Sequence, residues 1–282
     1  MRRRLHSLSQ WWPSHEQRSS NALWAVTIVM IGFLWVPLLV MIMLSVSENP
    51  STLIPFEGVT LDHMRAALAD RSLLVATFRS VQIATVAAGI ATVLGVPASI
   101  AIVRHQLPFE GTYRTGLILP MIVPGIVFGV GMLLFVRTVV PGLDTGVFAV
   151  ILTHSVYGLP FVVLIVTARL YGFDETLEES ARDLGAGPLS VFREITLPII
   201  APAVGAGFLF AWIRSFEDFI RAFFVRGTTD LLTTSMYSMI EYGAAPKMNA
   251  ISTIILLVVA VALAIAMNVG AVTDLVAGTE TE

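Results

Sequence analysis

A chain of 282 residues with 56% hydrophobic and 13% charged side chains cannot cover a soluble surface, which carries roughly 25% charge. A mean hydropathy of +0.81 also excludes a disordered, collagen-like or nucleic-acid-binding chain. Net charge is only −3, from 17 basic and 20 acidic residues, and the absence of cysteine excludes disulfides, thiol catalysis and cysteine-ligated metals. The class that remains is an all-α polytopic membrane protein.

A bilayer core is about 30 Å thick, so a crossing helix needs ~20 apolar residues. Six stretches in chain order meet that length or nearly so. The first runs from Ala22 to Ser45 and the second from Val81 to Val103, both without a charge. The third covers Thr115 to Val136, and the fourth covers Val147 to Ala168 with His154 inside it. The fifth starts near Ile199 and is interrupted by charge from Arg214 to Arg221; the sixth runs from Ala250 to Val272. They are too long and too apolar all round for helices of a soluble core. The first is also too long for a cleaved leader, and no small-residue cleavage site follows it.

Residues 1–21 form an N-terminal tail with Arg2, Arg3, Arg4 and Arg18, which favours a cytoplasmic start. Six spans, within residues 22–273, return the C-terminal tail 274–282 to the same side. Prolines at 37, 97, 120, 124, 160 and 202 fall inside the spans and predict kinks. Gly125 and Gly129 form a small-xxx-small pair, read as close helix packing. The first outside loop, Val46 to Leu73, holds Pro50, Pro55 and Gly58. A short amphipathic helix follows over Leu61 to Asp70, with Met64, Ala67 and Leu68 on its apolar face.

The segment 172–198, between the fourth and fifth spans, carries the most information. Asp174 can cap a helix whose first turn holds Glu175 and Glu178. Leu177, Ala181 and Leu184 make one apolar stripe, and Gly185 can end the helix in the left-handed conformation. Pro188 suits the first position of a second helix, with Leu189, Phe192 and Ile195 on its apolar face; Pro198 restarts the chain into the fifth span. This is a surface hairpin with two physical readings. Either its apolar stripe packs on its own bundle, or it docks a soluble partner.

The spacing within this hairpin has a counterpart. Glu179, Ser180 and Ala181, then Gly185, Ile195, Leu197 and Pro198 have the spacing of the EAA loop. The chain therefore resembles the permease subunits of type I ABC importers, with Ser180 where alanine is usual. The runs 159–163, 169–174 and 215–219, with Phe224, Val225, Tyr237, Pro246 and Asn249, resemble the second permease subunit of spermidine/putrescine importers. Arg79 departs from the asparagine expected in that subgroup.

The resemblance implies a six-helix permease fold with a cytoplasmic coupling hairpin between helices 4 and 5, in a bacterial or archaeal plasma membrane. It implies a second homologous permease, two ABC ATPase subunits and an extracytoplasmic solute-binding protein as partners. Glu179, Ser180, Ala181, Leu184, Gly185, Ala186 and Gly187 would be the coupling residues. ATP and magnesium would be bound by the ATPase, with no cofactor in this chain. Consistently, the only lysine is Lys247, outside any P-loop pattern.

The charged break in span five is the candidate substrate path. Arg214 with Asp218, and Glu217 with Arg221, are spaced to neutralise one another on a helix face, a purely structural reading. In the other reading Glu217 or Asp218 attracts a cation, with Tyr157, Trp212 and Phe216 supplying aromatic faces. His154 reads as a hydrogen-bonding partner for a neighbouring helix rather than a proton relay. No metal-ligand spacing and no nucleophile elbow is present, so covalent catalysis is not expected. The expected function is a permease subunit moving a polyamine or related amine by alternating access. The rivals are an ion-coupled secondary transporter, and a permease for a metal chelate, thiamine or phosphonate.

Overall fold

Apolar runs become long helices here because, in a bilayer, each backbone donor must be met within its own segment. The computed structural model describes residues 15–49, 56–105, 108–140, 142, 145–243 and 245–278. Arg2, Arg3, Arg4, Pro50 and Pro55 lie outside them. Among the described residues the only β pairing is one isolated antiparallel bridge, Ser47 with Val59. Among the described residues five helices are long and apolar enough to cross a membrane, and a bent helix pair brings the number to six when it is counted as one span. The chain divides into two units, Met1–Asp70 with Met239–Glu282, and Arg71–Ser238.

In the first unit α1 (His15–Ser45) contacts α12 (Ala245–Gly278). Apolar side chains along α1 from Leu23 to Leu39 are exposed, as expected of a helix facing lipid or another membrane subunit. Between them α2 (Asp62–Ala69) lies against α12. Its inner face is His63, Met64 and fully buried Ala67, whereas Leu68 is 53% exposed. The expected apolar face is thus rotated away from Leu68. Two polar ties set that rotation: His63 Nε2 lies 3.2 Å from the Ser47 carbonyl, and Lys247 donates to Asp70 at 2.9 Å.

The second unit starts with α3 (Arg71–Arg104), ten residues earlier than the apolar run alone suggested. Its 34 residues extend about 51 Å, well beyond the ~30 Å apolar band. Arg79 is kept in the helix by donating to the Asp230 carbonyl at 3.2 Å.

The third expected span is two helices, α4 (Glu110–Ile122) and α5 (Gly125–Val139), bent by 106°. The break falls at Val123 and Pro124. Proline has no amide hydrogen and pushes the residue before it out of the helical region; Val123 sits at φ −64°, ψ 130°. The other five span prolines lie within continuous helices α1, α3, α4, α6 (Val147–Tyr171) and α9 (Leu197–Phe216).

The core is where α3, α6 and α9 meet, around Ala88, Ala91, Val96, Val162, Val166, Ile200 and Ala211. Small residues allow this approach. A Cβ on Gly158 of α6 would lie 3.2 Å from the Ala211 Cβ and 3.4 Å from the Ala91 Cβ. Helix contact in a membrane depends on such packing, since lipid is as apolar as leucine. Gly129 of α5 does the same against α10 (Ile220–Val225), where a Cβ would meet the Arg221 Cα at 3.3 Å. The small-xxx-small pair is therefore a packing feature.

Candidate functional site

Two places carry the charges that a membrane protein otherwise avoids: the hairpin after α6, and the break after α9.

The hairpin consists of α7 (Thr176–Asp183), a turn, and α8 (Pro188–Val191). At its start the Asp174 carboxylate accepts the Thr176 amide at 3.0 Å. Asp174 is fully exposed, and that backbone donor holds its carboxyl below the usual carboxylate range. At its end Gly185 takes φ +89°. The Gly185 amide bonds the Arg182 carbonyl at 2.9 Å, and the Ala186 amide bonds the Ala181 carbonyl at 3.0 Å. That pair of bonds is a Schellman closure, which needs a residue tolerant of positive φ. Pro188 opens α8 at its first position, after Gly187.

One expectation changes here, and one open reading narrows. Span five does not restart at Pro198. The chain runs from α8 through a π-helical turn, Phe192–Thr196, directly into α9. The wider turn accommodates a proline whose missing amide would otherwise leave a gap in the helical ladder. The apolar stripe also faces outward, with Leu177 50% and Leu184 90% exposed. Glu179, Ser180, Gly185 and Gly187 are exposed too, with Ala181 and Ala186 partly covered.

What α7 buries is an acid. Glu178 is 5% exposed. It accepts from the Thr196 hydroxyl at 2.6 Å, and lies 3.6 Å from Arg104 and 3.5 Å from Arg182. Arg104 ends α3, also pairs with Glu175, and sits 5.0 Å over the Phe173 ring. Residue spacing did not single out Glu178. The available signal was Arg104, a cation at the end of an uncharged span facing the acid-rich loop.

At the second place α9 stops at Phe216, and Glu217 to Phe219 leave the helix before α10. This break replaces the expected (i, i+4) pairs by (i, i+3) pairs. Arg214 pairs with Glu217, and Asp218 with Arg221 at 3.1 Å. Asp218 also accepts the Arg221 amide at 3.0 Å, satisfying a first-turn donor of α10 from the residue before its N-cap, Phe219. Its side chain is 3% exposed and stands 3.9 Å from His154 Nε2. His154 Nδ1 lies 2.7 Å from the Ser215 hydroxyl on α9, the interhelical bond expected of it.

Tyr157 is 4% exposed and already engaged: Arg221 lies 3.5 Å over its ring, and Arg214 donates to its hydroxyl at 2.7 Å. Trp212 and Phe216 stack at 5.1 Å, and the Trp212 indole donates to Thr85 at 3.0 Å. Glu217, with a half-exposed side chain, lines an open depression of about 400 Å³ together with Arg214, Asp218, Phe219, Ile220 and Arg221. The structure thus brings Tyr157 and Asp218 into one buried network and leaves Glu217 at the surface. No grouping of three metal-ligating side chains occurs among the described residues.

Residues 91–274 match the family described as "Binding-protein-dependent transport system inner membrane component". The spermidine/putrescine transport system permease protein PotC of Escherichia coli (strain K12) is 32% identical over 226 residues, covering 80% of this chain and 84% of that protein. The putrescine transport system permease protein PotI of the same strain is 31% identical over 242 residues, covering 83% and 85%. Among solved structures, a bacterial ABC transporter involved in the import of the acidic polysaccharide alginate aligns with a TM-score of 0.70 at 14% identity, covering 91% of this chain and 98% of that one. The MetNI methionine ABC transporter aligns with a TM-score of 0.57 at 19% identity, covering 71% and 95%.

Proposed function

The chain belongs to the family of binding-protein-dependent transport system inner membrane components, and from that membership we propose how it works, what it carries and what it docks. It is a multi-pass membrane permease subunit of an ATP-binding cassette importer, which works with ATPase and binding-protein partners. The cargo is a polyamine or a closely related cationic amine, as in the relatives named for spermidine and putrescine. The transporter pairs this chain with a second, homologous permease, above two ATPase subunits that bind the ATP and magnesium. Both termini lie in the cytoplasm.

The observation that carries the coupling reading is the outward-facing stripe: Leu177 and Leu184 lie in the open outside the spans, while a carboxylate is buried beneath them. An exposed apolar ridge beside Glu179 and Ser180 suits a groove in a soluble partner. Glu179, Ser180, Ala181 and Leu184 then form the contact, while Gly185, Ala186 and Gly187 shape the turn. ATP binding draws the ATPase subunits and their docked hairpins together and opens the bundle outward to the loaded binding protein; hydrolysis returns it to face inward.

For the cargo, Glu217 offers the exposed carboxylate, and the Trp212–Phe216 stack offers a face for a cation. Tyr157 and Asp218 support that wall from behind. Only a weak, transient contact is needed, since the binding protein selects the solute before delivery.

The test is uptake of labelled spermidine and putrescine into proteoliposomes holding the complete complex, with binding protein outside and ATP inside. Uptake that requires ATP supports the reading. Uptake that persists without ATP on an ion gradient would establish the secondary-transporter alternative instead.

A further inference from the structure

The hairpin has two sides of opposite chemistry. Leu177, Glu179, Ser180 and Leu184 face out, and Glu178 alone on α7 is buried. A buried carboxylate is costly unless its oxygens are met by donors and cations. Here both oxygens are met, and by three different elements. Oε1 takes the Thr196 hydroxyl of the π turn at 2.6 Å. Oε2 faces Arg104 at the end of α3, 3.6 Å away, and Arg182 on its own helix at 3.5 Å.

We propose that Glu178 is the positioning residue that ties the docking hairpin to the spans, holding α7 against the α3 end and the π turn so that hairpin movement reaches α3 and α9 together. This rests on the reading of the hairpin as the ATPase contact.

Three features of the geometry support it. The contacts made by Glu178 skip α8, so a displacement of α7 bypasses the short second helix and acts at the root of α9. The element it reaches is a single π turn, an irregularity that helices carry mostly at functional sites. Arg104 lies over Phe173 and is also paired with Glu175, so the ionic half of the tie is shared with a second acid of the hairpin. The hydroxyl bond is neutral at the threonine end and the Arg104 contact is ionic, so the two halves of the tie can be cut separately.

The experiment uses the complete complex in proteoliposomes with Glu178→Gln, Glu178→Ala, Thr196→Val and, as a docking control, Gly185→Asp. The readouts are permease level, co-purified ATPase, basal ATP hydrolysis, and the stimulation of hydrolysis and uptake by loaded binding protein. Glu178→Gln removes the ionic half of the tie and Thr196→Val the hydroxyl half. Each is expected to leave level, ATPase content and basal hydrolysis near the parent, while stimulation and uptake fall roughly tenfold, the order of a single coupling interaction. Glu178→Ala, which cuts both halves, falls further. Full stimulation in all three variants would overturn the proposal. So would loss of the ATPase from Glu178→Gln and Thr196→Val, which would make Glu178 part of the docking surface, or failure of all three variants to accumulate, which would make the tie purely structural. Retention of the ATPase by Gly185→Asp would instead remove the docking reading on which the proposal rests.

Discussion

The hairpin and the break after α9 are made of similar material, acids and arginines set among leucines and phenylalanines, yet they fold in opposite senses. In the hairpin the leucines stay outside and one carboxylate, Glu178, goes in. In the break Asp218 is buried with Arg221 and the Tyr157 ring around it, while Glu217 remains half exposed. The difference follows from surroundings. Outside the spans, an exposed leucine stripe can be tolerated, and under the proposed function it is the surface that meets the ATPase. Asp218 lies just past the apolar run that closes at Phe216, where a charge is costly unless paired or wetted, and the chain turns it inward onto Arg221. Each place keeps one acid for structure and leaves others at the surface.

That contrast breaks most readily at Asp218. Asp218→Ala removes the acceptor of the Arg221 amide at the start of α10 and strands Arg221 beside Tyr157 and His154. Loss of one partner of a buried ion pair costs about 3–5 kcal/mol. Thermal unfolding of the solubilised complex should fall steeply, and uptake should be lost with it. An unchanged melting temperature would show that Asp218 is not structural. Next in size is Gly158→Val, which presses on Ala91 and Ala211 across α3, α6 and α9. Overpacking of this kind costs about 1–3 kcal/mol, measurable in the same unfolding experiment, and the hairpin variants should not share it.

Glu217→Gln sharpens the comparison from the other side. Its pair with Arg214 is exposed, and such pairs contribute about 0–1 kcal/mol. Stability should hold while the apparent KM for a cationic solute rises several-fold, read from uptake at varied concentration. A parent-like KM would take Glu217 out of the solute wall. The smallest effect belongs to Asp174. Its carboxyl is depressed by the Thr176 amide, so its contribution is complete above the ordinary carboxylate value of 3.8 and is lost as pH falls through the lower folded value. Asp174→Asn should therefore be slightly less stable than the parent near neutrality and converge with it in strong acid, where the parent's carboxyl is protonated; unfolding followed against pH checks this.

Much of the fold was legible because apolar length and helical punctuation are local properties. Gly185 and Pro188 fell where the turn needed them, and the spans at α1, α6 and α12 followed the hydropathy. Three features were not legible. The 106° bend falls at only one of six span prolines, and proline identity does not say which. The π turn depends on Pro198 being absorbed rather than breaking the helix. The inward turn of Glu178 depends on Arg104, 74 positions earlier in the chain, and a long-range pair leaves no periodic trace. The charged break was visible, but its pairing register was not. The (i, i+4) expectation assumed a continuous helix, and the chain leaves the helix at Glu217.

The two-sided hairpin is tested most directly by cross-linking in the assembled complex. The chain contains no cysteine, so Leu184→Cys and Glu178→Cys each create a single attachment point for a short photoreactive thiol probe. The account predicts that the probe at 184 captures the ATPase, and that the probe at 178 reacts little or captures only this chain. ATPase capture from 178, or capture from 184 of lipid or this chain alone while the ATPase is bound, would contradict it.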